Sequence, residues 1–130
     1  MNKEDIKKAT FKDLIAKKLK KEQDQFKTKD IYVSSMDATL TFKKPSDDVM
    51  LDIMEEIGDG TDTRKTISAF RKLIYLCCDT LQDPELHTQI EVADPLDTIE
   101  KLFDLVDTEE IGEQLVNFIK FGDKIKEIKN

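Results

Sequence analysis

Apolar residues recur at helical spacing near the start of the chain, directly after Thr10. The spacing of three and four positions predicts an amphipathic helix with one narrow apolar stripe. The stripe consists of Phe11, Leu14, Ile15 and Leu19. Thr10 and the acidic Asp13 favour a helix that begins here, because they suit its N-cap and its positive end. The stripe weakens after Leu19, so we expect the second half of this helix to project or to be mobile.

The spacing changes to strict alternation between residues 31 and 43. Ile31 and Val33 form the first alternating set, and Leu40 and Phe42 form the second. This pattern predicts two short strands of a hairpin with one buried face. A lone hairpin is marginally stable in water, so we expect it to lie against the helices.

Helical spacing returns after Pro45. The pattern predicts a second helix that is capped by Ser46 and ends at Gly58. A long helix follows over residues 64–81. Asp94-Pro95 predicts the start of another helix, since proline tolerates the first helical position. The residues expected to be buried in that helix are Leu96, Ile99, Leu102 and Phe103.

The last helix is predicted to start at Thr108 and to stop at Gly122. Together these segments predict a mainly α protein, a small helical domain of about four to five helices with one short antiparallel β-hairpin. We expect a flexible N-terminus over residues 1–9, a single helical domain over residues 10–122 with its hairpin near residues 31–43, and a flexible basic tail over residues 123–130.

Charge is distributed unevenly along the chain, which carries a formal net charge of −7. Residues 1–30 hold 10 lysines against 6 acidic residues, a net of +4, whereas residues 31–122 hold 8 basic against 20 acidic residues, a net of −12. An acidic body repels phosphate backbones, so nucleic acid is a disfavoured partner. The basic N-terminal block is interrupted by acidic residues and is typical of a solvated, mixed-charge helix.

The hydropathy and cysteine patterns indicate a protein of the cytoplasm with no membrane partner. The longest uninterrupted apolar run, residues 73–78, is far shorter than the ~20 residues of a spanning helix. No hydrophobic signal segment follows Met1. Cys77 and Cys78 are adjacent, which strains a disulfide between them, and reduced thiols fit better.

Recognisable catalytic and metal motifs are absent from the sequence, and we expect no enzyme activity, no cofactor and no metal. The loop after Gly58 resembles a calcium loop but lacks the glycine and glutamate at the required positions. A thiol enzyme that uses Cys77 or Cys78 with His87 remains an alternative. The apolar run around the cysteines favours burial instead, and an isolated turn histidine is usually structural.

The order of the segments resembles that of the tail assembly chaperones of long-tailed phages and related prophages or tail-like bacteriocins. The resemblance covers about residues 10–122. It consists of the hairpin at residues 31–42 followed by a helix after Pro45, and of three later segments. These are residues 81–86 (Leu-Gln-Asp-Pro-Glu-Leu), residues 94–102 from Asp-Pro-Leu-Asp, and residues 108–115 in a helix that ends near Gly122.

The resemblance implies a non-enzymatic assembly factor in the host cytoplasm that is absent from the mature tail. Its implied partners are the tape-measure protein, which it keeps soluble, and the tail-tube protein, whose subunits it helps to recruit. Many members of the family are made with a longer frameshifted form, and self-association is a further open option. An apolar groove on an acidic protein suits this task, because net charge keeps the complex soluble.

The candidate protein-binding residues form two apolar surfaces. They are Phe11, Leu14, Ile15 and Leu19 on the first helix, and Tyr32 and Met36 on the hairpin. The alternative is that these residues complete the core, since spacing alone does not distinguish a buried face from a partner-covered face. The alternative function is a small cytosolic regulatory or adaptor protein that binds another protein or DNA through its basic N-terminal helix.

Overall fold

The computed structural model describes residues 6–119, and this part of the chain is mainly α-helical with one two-stranded sheet. In chain order, the elements are α1 (Phe11–Gln25), β1 (Thr28–Val33), β2 (Ala38–Lys43), α2 (Asp47–Ile57), α3 (Thr63–Leu76), α4 (Pro84–Gln89), α5 (Thr98–Leu102) and α6 (Leu105–Phe118). Single 3₁₀ turns occupy Thr80–Gln82 and Pro95–Asp97. The predicted fold class is confirmed. The described helices exceed the expected four to five because the turn after Asp83-Pro84 forms α4.

The hairpin is antiparallel, and its alternation places one face in the core. Ile31 is paired with Leu40 and Val33 with Ala38, and Ile31, Val33 and Phe42 are buried. The turn spans residues 34–37, where Asp37 has a positive φ of 49°. Aspartate tolerates this left-handed conformation better than most residues. The predicted hairpin with one buried face is therefore confirmed, although β1 begins at Thr28, earlier than expected.

Helix α3 lies at the centre of the core. It packs against α2, α5 and α6, while β1 packs against α6. Its buried side chains are Ala69, Phe70, Leu73 and Ile74. The hairpin is fixed to the end of α3 by two contacts of Lys43, whose N–H donates to the Cys77 carbonyl oxygen at 2.8 Å and whose Nζ lies 2.7 Å from Asp79. The body is thus one helical core closed on one side by the hairpin.

The crossing of α3 and α6 depends on a glycine. A Cβ at Gly112 would lie 2.6 Å from Cγ of the Phe70 ring, which is closer than real Cβ atoms approach. Gly112 itself is buried within α6. A larger residue there would force the ring or the helix to move, so the glycine permits the close approach of α6 to α3.

A side-chain cap begins α2 where the sequence predicts it, and another side-chain cap begins α3. Ser46 accepts a hydrogen bond from the Val49 N–H at the start of α2, and Asp62 accepts one from the Lys65 N–H at the start of α3. Such caps satisfy backbone donors that have no partner inside the helix. The last helix begins earlier than predicted, because Asp104 caps it through the Asp107 N–H and leaves Thr108 buried inside α6.

Helix α3 is shorter than its predicted range of residues 64–81. Gln82 explains the difference, because its Nε2 donates to the carbonyl oxygens of Tyr75 and Leu76 at 2.8 and 3.1 Å. These bonds satisfy the carbonyls that end a helix. Leu81 still reaches the core, but from the following 3₁₀ turn.

The predicted burial of Leu96 and Leu102 is wrong, whereas the burial of Ile99 and Phe103 is confirmed. The reason is the shortness of this segment. Residues Pro95–Asp97 form a 3₁₀ turn and α5 has only 5 residues, so the segment presents one narrow face to the core. Leu96 and Leu102 lie off that face and are exposed.

Some predicted features lie outside the described residues: residues 1–5 of the flexible N-terminus, the stop at Gly122, and the basic tail over residues 123–130. Among residues 6–119, no helix combines the length and the apolar character that crossing a membrane requires.

Candidate functional site

Helix α1 carries an apolar stripe that is not buried in the described chain. All four predicted side chains are exposed, with exposed fractions from 45% to 80%: Phe11, Leu14, Ile15 and Leu19. None of the residues of α1 is buried. The alternative that this stripe completes the core of its own chain is therefore wrong for the described structure.

Local contacts cap the start of α1, and none of its residues is buried in the core. Thr10 and Asp13 form a capping box: the Asp13 N–H donates to Thr10 Oγ1 at 3.3 Å, and the Thr10 N–H donates to Asp13 Oδ2 at 2.9 Å. The Thr10 backbone N–H, the Lys7 ammonium and the Thr10 hydroxyl lower the pKa of Asp13. An ionised Asp13 also favours the positive end of the helix.

Lysines surround the stripe. At 100° per residue, Lys12 and Lys21 lie at its two edges and Lys18 lies within it. Lys18 is paired with Glu22 at 3.3 Å, one turn further along, and Lys21 is paired with Asp47 of α2 at 3.1 Å. The Lys21–Asp47 pair links α1 to the first turn of α2. The stripe is consequently an apolar surface with a mainly basic border.

The two hairpin residues form a separate surface. Tyr32 and Met36 are about half exposed, at 49% and 51%. Tyr32 is paired with Thr39 on the face opposite the core, and its hydroxyl donates to Asp37 Oδ1 at 2.5 Å. That hydrogen bond raises the pKa of Tyr32. In residues 6–119, no hydrogen bond or ion pair joins either residue to α1, so the structure exposes both predicted surfaces without connecting them by a polar contact.

The cysteines are poorly placed for thiolate chemistry. Cys77 and Cys78 are both fully buried and unbridged. Burial raises the pKa of the Cys77 thiol to about 12 and also raises that of Cys78. At neutral pH both are therefore protonated, and protonated thiols are weak nucleophiles.

His87 has a structural contact. Its Nε2 lies 2.8 Å from the Leu81 carbonyl oxygen, and its ring centre lies 5.9 Å from that of Tyr75. These contacts fix α4 against the preceding 3₁₀ turn and the last turn of α3. Across residues 6–119, no three His, Cys, Asp or Glu side chains are grouped so that they could hold a metal ion.

Sequence reasoning missed a second region, the cleft between α3 and the start of α6. Its volume is about 520 Å³, and its lining includes Arg64, Arg71 and Leu105. One signal was available: the chain has only two arginines, and they are seven positions apart on α3. Side chains at that spacing lie on the same face of a helix.

Exposed apolar residues lie beside this cleft and on α2. Leu105 and Val106 are adjacent at the start of α6, and Leu51 stands on the outer side of α2. They do not belong to the predicted binding surfaces.

Comparison of the chain with protein-family models, curated proteins and solved structures found no match.

Proposed function

We propose that the protein is a phage tail assembly chaperone, which binds the tape-measure protein, keeps it soluble and helps to recruit tail-tube subunits during tail assembly. In this proposal it acts in the host cytoplasm, makes or breaks no covalent bond, and is absent from the finished tail. The single observation that carries the proposal is the exposed apolar stripe of α1, none of whose residues is buried in the described chain.

The stripe has the form needed to bind another helix. Phe11, Leu14 and Ile15 present apolar side chains on about one and a half helical turns, and Leu19 extends the surface by another turn. Helix-in-groove binding uses anchors at this spacing. A tape-measure protein is long and helical, and its apolar stripes would aggregate before the tube encloses them, so a removable apolar cover would keep it soluble until then.

The charge pattern supports reversible rather than permanent binding. The lysines around the stripe favour a partner helix with acidic residues beside its apolar ones, whereas the strongly acidic body keeps the complex soluble. Because tube subunits must later displace the chaperone, modest contacts repeated along the partner suit the task better than one very tight site. Tyr32 and Met36 offer a second contact of the same modest kind.

Co-expression tests the proposal directly. The chain is produced together with the long helical protein encoded near it, and the soluble amount of that protein and its co-purification are measured. The double variant Leu14→Asp/Ile15→Asp is compared with Ala16→Asp/Lys17→Asp, which places two aspartates on the same helix away from the stripe. We expect the first to abolish both signals and the second to retain them.

Unfolding of the core does not confound this comparison, because no residue of α1 is buried, and the control variant carries two aspartates in the same helix. The proposal is wrong if the long partner is insoluble with the natural chain, or if the stripe variant works as well as the natural chain. Binding to duplex DNA that falls steeply with salt would instead favour the regulatory alternative, since lysine contacts to phosphates release counterions.

A further inference from the structure

The cleft between α3 and α6 contains every arginine of the chain. Arg64 and Arg71 line it, with Ile67 between them on α3 and Leu105 on the opposite wall. The remaining 19 of the 21 basic residues are lysines. Arginine differs from lysine in presenting a planar fork of donors that matches a carboxylate. The two arginines therefore present donors suited to carboxylates on either side of an apolar centre.

These arginines have no acceptor within the described chain. Neither side chain forms a hydrogen bond or an ion pair with residues 6–119, and Nε of Arg71 is buried without a partner. Glu109 also lines the cleft but is not within ion-pair distance of either arginine. A buried donor without an acceptor is costly, and a carboxylate placed in the cleft would remove that cost.

The outer face of α2 has the complementary pattern. Asp48, Leu51 and Glu55 are all exposed, and Leu51 is 60% exposed. Their spacing of three and then four positions equals that of Arg64, Ile67 and Arg71. In each helix the two charged residues are seven positions apart, which is about 10.5 Å along the helix axis. Neither carboxylate has an ion pair within residues 6–119.

This acidic face does not reach the cleft of its own chain. The opposite side of α2 packs inward through Ile53 and Ile57, and Glu56 binds Ser68 and Lys72 of α3. The outer face of α2 is therefore directed away from the core and is available to another molecule.

We propose that the outer face of α2 in one copy docks in the α3–α6 cleft of a second copy. Asp48 and Glu55 pair with the two arginines, and Leu51 enters between Ile67 and Leu105. Residues 31–122 carry a net charge of −12, so long-range repulsion opposes the contact. We expect self-association that depends on protein concentration. This inference does not rest on the proposed function, because α1 takes no part in the contact.

Sedimentation of the full chain over a range of concentrations tests the inference. The natural protein is expected to rise above its monomer mass of 15.0 kDa as concentration increases. Arg64→Glu/Arg71→Glu and Asp48→Arg/Glu55→Arg should each remain monomeric. An equimolar mixture of these two variants should associate again, because it offers one natural contact and one charge-swapped contact.

Two further variants separate the docking contact from general charge effects and from folding. Lys65→Glu/Lys101→Glu changes the net charge by the same amount as the arginine variant, at exposed positions outside the cleft, and should associate like the natural protein. Leu51→Asp alters no core residue and should prevent association. Circular dichroism spectra verify that each variant is folded.

Three results would overturn the inference. The first is a natural protein that stays monomeric at every concentration. The second is an arginine variant that associates as strongly as the natural protein, and the third is a mixture of the two charge variants that stays monomeric. Loss of association in Leu14→Asp/Ile15→Asp, with no loss in Leu51→Asp, would assign the contact to α1 instead.

Discussion

Helices α1 and α3 have nearly the same length and similar apolar spacing, yet only α3 contributes to the core. They have 15 and 14 residues, and each begins with a side-chain cap, Thr10 in α1 and Asp62 in α3. Four residues of α3 are buried, whereas α1 has none. The difference is that α2, α5 and α6 surround α3, while α1 is linked to the body through the Lys21–Asp47 ion pair at its side.

The comparison shows that an amphipathic pattern identifies a face but not what covers it. An isolated helix of about 15 residues is marginally stable in water, and most helix stability in proteins comes from packing. Helix α1 has its capping box and the exposed Lys18–Glu22 pair instead, and exposed pairs of this kind contribute little. A partner that covers the stripe would therefore stabilise α1 as well as bind it.

The largest effect in this comparison is expected from truncating one leucine in each helix. Leu73 is completely buried, so Leu73→Ala should lower the free energy of unfolding by ~2–5 kcal/mol through lost burial and a residual cavity. Leu14 is exposed, so Leu14→Ala should change the free energy of unfolding by less than ~0.5 kcal/mol. Urea unfolding followed by circular dichroism measures both values on one scale.

Ile15→Ala is the matched control for the exposed position, and Ile74→Ala is the control for the core. A loss of 2 kcal/mol or more in Leu14→Ala, on the order of a core truncation, would contradict the description of α1 as a helix outside the core. It would mean that the stripe is covered in solution.

The parts of the fold that follow from local chemistry could be predicted from the sequence. The hairpin follows from alternation, and the caps at Thr10 and Ser46 follow from oxygen-bearing side chains directly before apolar periodic segments. Both signals depend on neighbours within a few residues. Helix ends that depend on distant partners were missed: α3 ends at Leu76 because Gln82 folds back onto its carbonyls.

The surfaces were harder to predict, for a related reason. The six candidate binding residues proved to be exposed, but spacing alone had left burial and exposure as alternatives for all of them. Leu96 and Leu102 show the opposite error, since apolar residues in a short segment were expected to be inside. The arginine pair was missed because its interest as a binding site depends on a buried Arg71 Nε that has no acceptor, and only three-dimensional packing reveals this.

A medium effect is expected from removing the caps of the two helices. Asp62→Ala should lower the free energy of unfolding by ~1 kcal/mol, because α3 unfolds with the whole core and its first turn loses an acceptor. Thr10→Ala should leave that global value unchanged. It should instead speed amide hydrogen exchange in the first turn of α1, because this helix opens locally.

Hydrogen exchange measured by NMR on both variants checks this contrast. Thr61→Ala serves as a nearby control, since the Thr61 hydroxyl donates to Asp59 and does not cap the first turn of α3. If Thr10→Ala lowered global stability as much as Asp62→Ala, α1 would unfold together with the core, and the two helices would not differ as described.

The smallest effect concerns acid pH at the start of α1. Contacts with the Thr10 backbone N–H, Lys7 and the Thr10 hydroxyl lower the pKa of Asp13 below its ordinary value of 3.8. A carboxyl whose folded pKa is lowered contributes its stabilisation fully above the unfolded pKa, and loses it as pH falls through the folded pKa. We therefore expect the first turn of α1 to keep its protection near neutral pH, to begin losing it below about pH 3.8, and to lose it fully only below the lowered pKa of Asp13.

NMR titration of the Asp13 carboxyl measures its pKa, and amide hydrogen exchange of residues 11–14 measures the protection of the first turn. Asp13→Asn removes the titrating group, so the part of the acid-induced exchange that belongs to the cap should disappear in this variant, while the part due to other carboxylates remains. An Asp13 pKa at or above the ordinary value would show that the capping box is open in solution. The stripe of α1 would then begin in a frayed turn, and Phe11 would no longer be held beside Leu14 and Ile15 for a partner to bind.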